Sequence, residues 1–445
     1  MSLFSTLSTA ASGLGVASSN LSVIGDNIAN MNTTGFKSTR SEFADYRPQD
    51  VFGLAGPSQV GKGAGINNLQ TLFGQGSLMA SQNPLDMAIA GDGFFVVSNG
   101  VNDNYTRAGQ FYLDDDGFIV TADGARLQGY NVDSTGTLGK TVADLQLDTD
   151  PIQPAATAAI TLTATLDADT AVTGGVAALV LDGTAAASTL EAAANASDFA
   201  ASVTSYDSLG VAHEVTVLWE YAGANTWNWY AVVDAGELDS TALAGAGVAG
   251  NAFQIANGTA TFDGAGQLNA FTETQTSATD PWAFNGANAG DIAFEMGLDA
   301  AGLAIDGRVR MIAGTSAVSA IAQDGYPPGD LASISTDPDG SIVGQYSNGQ
   351  GYVLAQVVVA RFPANAELER IGGTLFRATI GSGDPTIGNA GTGGRGTIAG
   401  NALEQSNVDL EREFVNLITS QRSYQANARM IDTTNSTLQE LVQLV

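Results

Sequence analysis

Three stretches of the chain have residue types that could do chemistry. GPSQVGKG at 56–63 nearly matches the phosphate-cradling pattern G-x-x-x-x-G-K-[ST], but Gly63 stands where a magnesium-binding hydroxyl is needed. No clear strand precedes it and no helical pattern follows, so its backbone N–H groups would not be aimed at a phosphate. YLDDDGFIVTAD at 112–123 has the Asp and Gly content of a calcium loop. With Gly117 at the sixth place, however, the first ligand position is Tyr112 and the twelfth is Asp123, not the longer bidentate Glu. A β-turn accounts for these residues better. The one histidine, His213, shares its strand face with valines, which reads as a partly buried structural residue and not a general base. The chain has no cysteine, which excludes a disulfide framework, a cysteine zinc site and a Cys nucleophile. Carboxylates are too numerous for any pair to stand out. The expectation is therefore a chain with no catalytic residues, no metal ligands and no cofactor.

Charge narrows the partners. The net charge is −30, from 46 acidic against 16 basic residues. That argues against nucleic acid, which needs clustered Lys and Arg, and against an anionic membrane surface. From Thr141 to Gly307 there is no Lys or Arg, while 21 Asp and Glu fall there, so this middle stretch should face water. No apolar run is long enough to span a bilayer, and no basic segment leads into an apolar one as in a secretory signal peptide. The absence of cysteine suits a protein that crosses compartments unfolded and reduced.

The elements that must position any site are clearest at the two ends. Leu3, Leu7, Ala10, Leu14, Ala17, Leu21, Ile24, Ile28 and Met31 step by four and three, a heptad seam of period 3.5. The run stops at NMNTTGFK, where Asn32, Thr33, Thr34 and Gly35 offer helix-ending chemistry. Near the other end, Leu410, Phe414, Leu417, Gln421, Tyr424, Ala428, Ile431, Asn435, Leu438, Val442 and Val445 repeat the same step. Ser406 and Asp409 have the spacing of a capping box ahead of it. The first helix is intrinsically weak: Gly13, Gly15 and Gly25 each cost about 1 kcal/mol relative to Ala, and its many Ser and Thr residues favour local side-chain bonds. Two matched seams predict that the ends pack on each other within and between copies of the chain. In this reading Leu3, Leu7, Leu14, Leu21, Ile24 and Ile28 meet Leu410, Phe414, Leu417, Tyr424, Ile431, Leu438 and Val442.

Between the ends the chain reads as β. GDGFFVV is a short apolar run after a turn. Asp116-Gly117, Asp123-Gly124, Asp339-Gly340 and Asn348-Gly349 mark hairpins between alternating segments. Val211, His213, Val215, Val217, Trp219 and Tyr221 fall on one strand face. The predicted fold class is α+β multidomain, with long terminal α-helices forming a coiled-coil inner domain and nested, mainly antiparallel β domains. The predicted division is 1–35 and 402–445 for the helical core and 36–80 for an extended linker. It continues with 81–145 and 312–401 for an inner β domain, and 146–311 for an acidic outer β domain.

Several stretches carry a family resemblance. NIANMNTTGFK (27–37), NPLDMAIAGDGFFVV (83–97), YTRAGQFYLDDDGFIVTADGARLQGY (105–130) and LEQSNVDLEREFVNLITSQRSYQANARMI (403–431) are similar to successive blocks of the flagellar rod and hook proteins. Asn30, Thr34, Gly35, Phe36, Ser406, Asn407, Gln421, Arg422 and Tyr424 are the motif positions singled out in the first and last of these. Within that family, 205–215 and 323–350 resemble the hook branch. The resemblance implies a structural subunit of a helical homopolymer: terminal helices lining a channel, a flexible tube transmitting torque as a universal joint, and no enzymatic activity. It implies partners too: the distal rod protein, the hook cap protein, the hook–filament junction proteins and the flagellar type III export apparatus. The expected location is the extracellular hook of the bacterial flagellum, reached without a cleaved signal peptide. The alternatives are a straight distal rod protein, against which the length and the 205–350 similarities speak, a secreted acidic enzyme, for which no acid–base site is visible, and a surface adhesin, which has no need of heptads at both ends.

Overall fold

Apolar residues recur at helical spacing only near the two ends, and there the long helices lie. In the computed structural model, which describes residues 3–443 apart from 54–55, 134–135, 185–187, 240–246, 276–282, 289 and 297–307, helix α1 spans Leu3–Ala29. The short α2 spans Leu190–Ala196, and α3 spans Leu410–Gln443. Nearly all remaining regular structure among the described residues is strand, so the chain is mostly β with a helix towards either end.

Local chemistry sets the helix limits. The Asp409 carboxylate accepts the N–H groups of Glu411 at 3.1 Å and Arg412 at 3.3 Å, making Asp409 the N-cap of α3. The expected capping box does not form; the Ser406 hydroxyl instead accepts the Val408 N–H at 3.4 Å. The helix thus starts at Leu410 and its 34 residues extend about 51 Å. In α1, the hydroxyls of Ser8, Thr9 and Ser12 donate back to main-chain carbonyls at 3.0, 2.9 and 2.8 Å, the local competition expected of such residues.

The two long helices run antiparallel. Gly13 lies against Asn427, the Asn20 amide donates to the Ser420 hydroxyl at 2.6 Å, and the Glu413 carboxylate meets the Asn27 side chain. A Cβ on Gly13 would come within 2.8 Å of the Asn427 amide. One of the three costly glycines thus permits close approach, while Gly15 and Gly25 have open space.

The chain divides into two compact units. The first comprises Met1–Thr149, Leu331–Gln345 and Gly351–Val445, and the second Asp150–Asp330 with Tyr346–Gln350. The first unit contains a twelve-stranded sheet. Its long strand Gly351–Arg361 bonds to Ser341–Tyr346, Arg126–Asn131, Phe94–Ser98 and Thr386–Asn389. Successive side chains leave opposite faces of a strand. Ala355, Val357 and Val359 join Phe95 and Val97 in one apolar cluster, whereas Val358 and Ala360 join Phe94 and Val96 in another. Cover on both faces is why FFVV is unbroken by polar residues. Turns fall at the Asp-Gly and Asn-Gly signals, with Gly117, Gly124, Gly340 and Gly349 all at φ between 80° and 90°. Segment 36–80 is extended and folds back on itself: Thr39–Asp45 pairs with Ala64–Thr71, and Gln49–Gly53 with Gly56–Val60.

The second unit holds a five-stranded antiparallel meander in chain order, from Phe199–Tyr206 through Ala212–Gly223, Thr226–Asp234 and Ala252–Phe262 to Leu268–Gln275. Its core combines fully buried Trp219, Trp227 and Trp229 with Ile160, Leu162 and Leu166 from the strand Ala159–Asp167. Ala159–Asp167 also makes two short parallel pairings, with Ala293–Glu295 and Val309–Ile312. On the other face of the meander, Ala193 of α2 packs with Leu218, Val232 and Ala252.

The cap assignment makes a prediction. Asp409→Ala should lower stability by about 1 kcal/mol in denaturant titration, the usual worth of an N-cap, while Ser406→Ala should cost only a few tenths. Equal losses would show that the two residues cap together after all.

Candidate functional site

The helices are rooted in a buried ionic knot. Beyond α1 the chain turns at Gly35, which has φ +70° and whose N–H donates to the Glu404 carbonyl at 2.8 Å. A Cβ there would sit 2.4 Å from the Ala108 nitrogen, so only glycine fits. Phe36 is buried beneath the Arg370 guanidinium, 4.9 Å from the ring centre. Lys37 then enters the interior. Its Nζ reaches Glu404 Oε1 at 2.6 Å and donates to the Gly74 carbonyl at 2.9 Å. Both side chains have no exposed surface. Arg107 Nη1 approaches Glu404 Oε2 at 3.3 Å, and Nη2 donates to the Gly91 carbonyl at 2.7 Å. The Gly76 N–H completes the set on Oε1 at 2.8 Å. Burial pushes the Lys37 ammonium below its ordinary pKa, and the attraction of Glu404 only partly offsets this. Arg107 is lowered for the same reason.

Asparagines extend the knot to both helices. Asn407, just ahead of α3, accepts the Ser38 N–H at 2.7 Å and donates to the carbonyls of Leu72 and Gly74 at 2.7 and 3.1 Å. Asn27, in the last turns of α1, exchanges two bonds with the Thr39 main chain at 2.8 and 2.9 Å. A crevice of about 530 Å³ beside them is lined by Asn20, Asn27, Arg40, Asn407, Glu413 and Asn416, among others. Burial there holds the Glu413 carboxyl above its usual range, with the Asn27 hydrogen bond pulling the other way.

The sequence-derived site residues divide between this knot and the helix surfaces. Gly35, Phe36 and Asn407 belong to the knot. Asn30 closes the end of α1 by donating to Asp26, and Thr34 is half-buried against a separate crevice. Gln421, Arg422 and Tyr424 lie exposed on α3. Of the heptad positions, Ile24 is buried, together with Ala10 and Ala17. Leu7, Leu14, Leu21, Ile28, Leu410, Leu417, Ile431 and Leu438 are half-buried, and Phe414 is exposed. The side chains of Leu3 and Val442, and Val445 altogether, lie outside the described residues. Among the described side chains of α3 the buried ones are Ser420 and Thr434, which lie beside the seam positions Gln421 and Asn435. Lys37, Arg107 and Glu404 were not foreseen as a group. The available signal was a lysine directly after Gly-Phe in a chain whose other lysines are Lys62 and Lys140.

The other stretches with chemical potential resolve simply. Gly56–Val60 and Ala64–Thr71 are strands, so GPSQVGKG is part of a hairpin and not a strand–loop–helix. Asp114 to Gly117 is a tight turn, closed by the Gly117 N–H on the Asp114 carbonyl at 2.9 Å. His213 stacks on Phe284 with ring centres 3.6 Å apart, and its ring nitrogens face Glu237 at 2.6 Å and Asp207 at 3.3 Å. Among the described residues, no group of three or more His, Asp or Glu side chains is placed to hold a metal ion.

Two outcomes follow from the knot. Glu404→Gln leaves two buried cations uncompensated and should cost about 3–5 kcal/mol by urea unfolding; a loss below 1 kcal/mol would refute its structural weight. Glu413 has its folded pKa raised above the ordinary 4.5, so the folded state holds its proton more tightly than the unfolded chain. Its contribution is fully present below that pH and is lost as pH rises through the folded value. Melting curves should therefore show Glu413→Gln removing part of the destabilisation that wild type suffers on going from pH 4 to 7.

Comparison with known proteins places this architecture. The family models that match are Flagella basal body rod protein (7–37), Flagellar hook protein FlgE/F/G D1 domain (88–168), Flagellar basal body protein FlaE D2 domain (178–326) and Flagellar basal body rod FlgEFG protein C-terminal (399–444). The chain is 36% identical to flagellar hook protein FlgE of Escherichia coli K12, over 98% of this chain and 99% of that one. It is 35% identical to the Salmonella typhimurium LT2 protein of the same name, over 99% and 100%. Identity to that of Borreliella burgdorferi is 33%, over 99% of each chain. The crystal structure of Helicobacter pylori flagellar hook protein FlgE2 shares the fold, with a TM-score of 0.53 at 15% identity, covering 74% of this chain and all of that one. At this identity over nearly the full length, the chain belongs to the flagellar hook protein FlgE family, the structural subunits of the bacterial flagellar hook.

Proposed function

We propose that the chain assembles with copies of itself into a hollow, flexible tube that transmits motor torque and through which later subunits travel. The observation that carries this reading is the surface of α3. The α1–α3 contact runs through Gly13 against Asn427, Asn20 against Ser420 and Asn27 against Glu413, and Phe414, Val415, Ile418, Tyr424 and Met430 remain between 39% and 64% exposed. Large apolar side chains exposed around one helix are costly in water, and their burial becomes favourable when other copies pack on that helix. A contact of this kind that does not close by rotation generates a helical polymer.

In this reading the terminal helices form a coiled-coil core, 81–145 with 312–401 form the surrounding layer, and the acidic 146–311 lies outermost with loose, hydrated contacts. The helices order fully when neighbours supply surface, which suits export in an unfolded state through the flagellar type III apparatus. The distal rod protein, the cap protein and the junction proteins are then the partners at the two ends of the tube. The role is mechanical and not enzymatic. Electron microscopy tests it directly: chain lacking 1–35 should stay monomeric, while chain lacking 151–307 should form tubes of altered curvature. Normal tubes from the first deletion would overturn the proposal.

A further inference from the structure

Lys62, the cation of the GPSQVGKG stretch, has a role the hook reading does not absorb. The pairing Gln49↔Val60 and the Tyr46 N–H bond to the Gly63 carbonyl at 2.9 Å set the register of the hairpin. That register puts Arg47 opposite Lys62. Like charges directly opposed across a strand pair repel. Here both cations are exposed, and neither has a carboxylate partner among the described residues. Both line one side of a cleft of about 600 Å³. The other wall is the first turns of α1, with the hydroxyls of Ser5, Ser8, Thr9 and Ser12. Among the described residues, no Asp or Glu lines the cleft. In a chain of net charge −30, an acid-free pocket holding two opposed cations is the exception.

We propose that this cleft binds a carboxylate-bearing segment of a second copy of the chain. Each copy brings a large surplus of Asp and Glu, so a neighbour is an abundant source of the anion that relieves the Arg47–Lys62 repulsion. The guanidinium offers a fork of N–H donors to a carboxylate, and the ammonium a point charge beside it. The inference rests on the self-assembly proposed above, and it names one contact between copies that is polar and sensitive to salt.

Zero-length carbodiimide coupling tests it, because the reagent joins a lysine amine to a carboxylate as an amide only when the two touch. Tubes assembled from mixed isotopically labelled and unlabelled full-length chain are treated and digested, and cross-linked peptides are identified by mass spectrometry. The expected result is Lys62 joined to an Asp or Glu of another copy in tubes and not in dilute monomer. The joint Arg47→Glu and Lys62→Glu variant should raise the critical concentration for assembly about tenfold at low salt, with an unchanged melting temperature. Tubes that form normally with Lys62 unlinked between copies, and a charge-reversed variant that assembles as wild type, overturn this site alone. Failure of wild-type chain to form tubes overturns the self-assembly reading, and the site falls with it.

Discussion

Burying two cations around one carboxylate is the constraint on which the first unit depends. A charged lysine or arginine loses several kcal/mol of hydration on leaving water, and only close, well-formed partners restore it. Glu404 supplies that for both Lys37 and Arg107, and main-chain carbonyls of Gly74 and Gly91 take further N–H groups. Buried ion pairs are poor sources of net stability, but they tolerate few alternative arrangements. Here the arrangement joins five stretches at once: the exit from α1, the approach to α3, the segments at 74–76 and at 91, and the one that carries Arg107. Asn27 and Asn407 repeat the same logic in neutral form, each satisfying main-chain groups on the stretch beside it.

This polar root explains the unusual character of the helix pair above it. Because the ends are already held, α1 and α3 can meet through small and polar side chains without relying on an apolar seam. Gly13 against Asn427 and Asn20 against Ser420 bring the backbones close. The leucines at 7, 14 and 21 and the large apolar residues of α3 are then left wholly or partly uncovered. A single chain organised this way is held at the root of its helices by polar contacts and leaves large apolar side chains of α3 exposed, which is the balance expected of a building block.

The sequence disclosed those features whose causes are local. Four-three stepping gives helices at both ends, because periodicity is a property of neighbouring residues. Asp-Gly and Asn-Gly turns are visible because glycine at positive φ is a local requirement. The FFVV run reads as a short apolar β segment, and the structure makes it a strand covered on both faces. Which stripe of α1 faces α3 was less legible: positions 7, 14, 21 and 28 and positions 10, 17 and 24 are adjacent apolar stripes, and the choice is made by close approach at Gly13 and by Asn20. Hydrophobicity does not encode that choice. The ionic knot was least legible, since Lys37 and Glu404 are 367 positions apart and a lysine is ordinarily expected at the surface. The parallel pairings of 293–295 and 309–312 were hidden for another reason: both segments pair with 159–167, far away along the chain, and local patterning does not report such partners.

The separation of Lys37 from Glu404 also has a kinetic consequence. Closing so long a loop is entropically slow, and contacts distant along the chain generally form late in folding. A chain that emerges gradually from a narrow opening presents one terminus well before the other. Until both are present, the pocket for Lys37 lacks its counter-ion, and desolvating the ammonium is unfavourable. A chain emerging amino terminus first would thereby be biased against premature closure, and its last stretch would supply the carboxylate that locks the first unit.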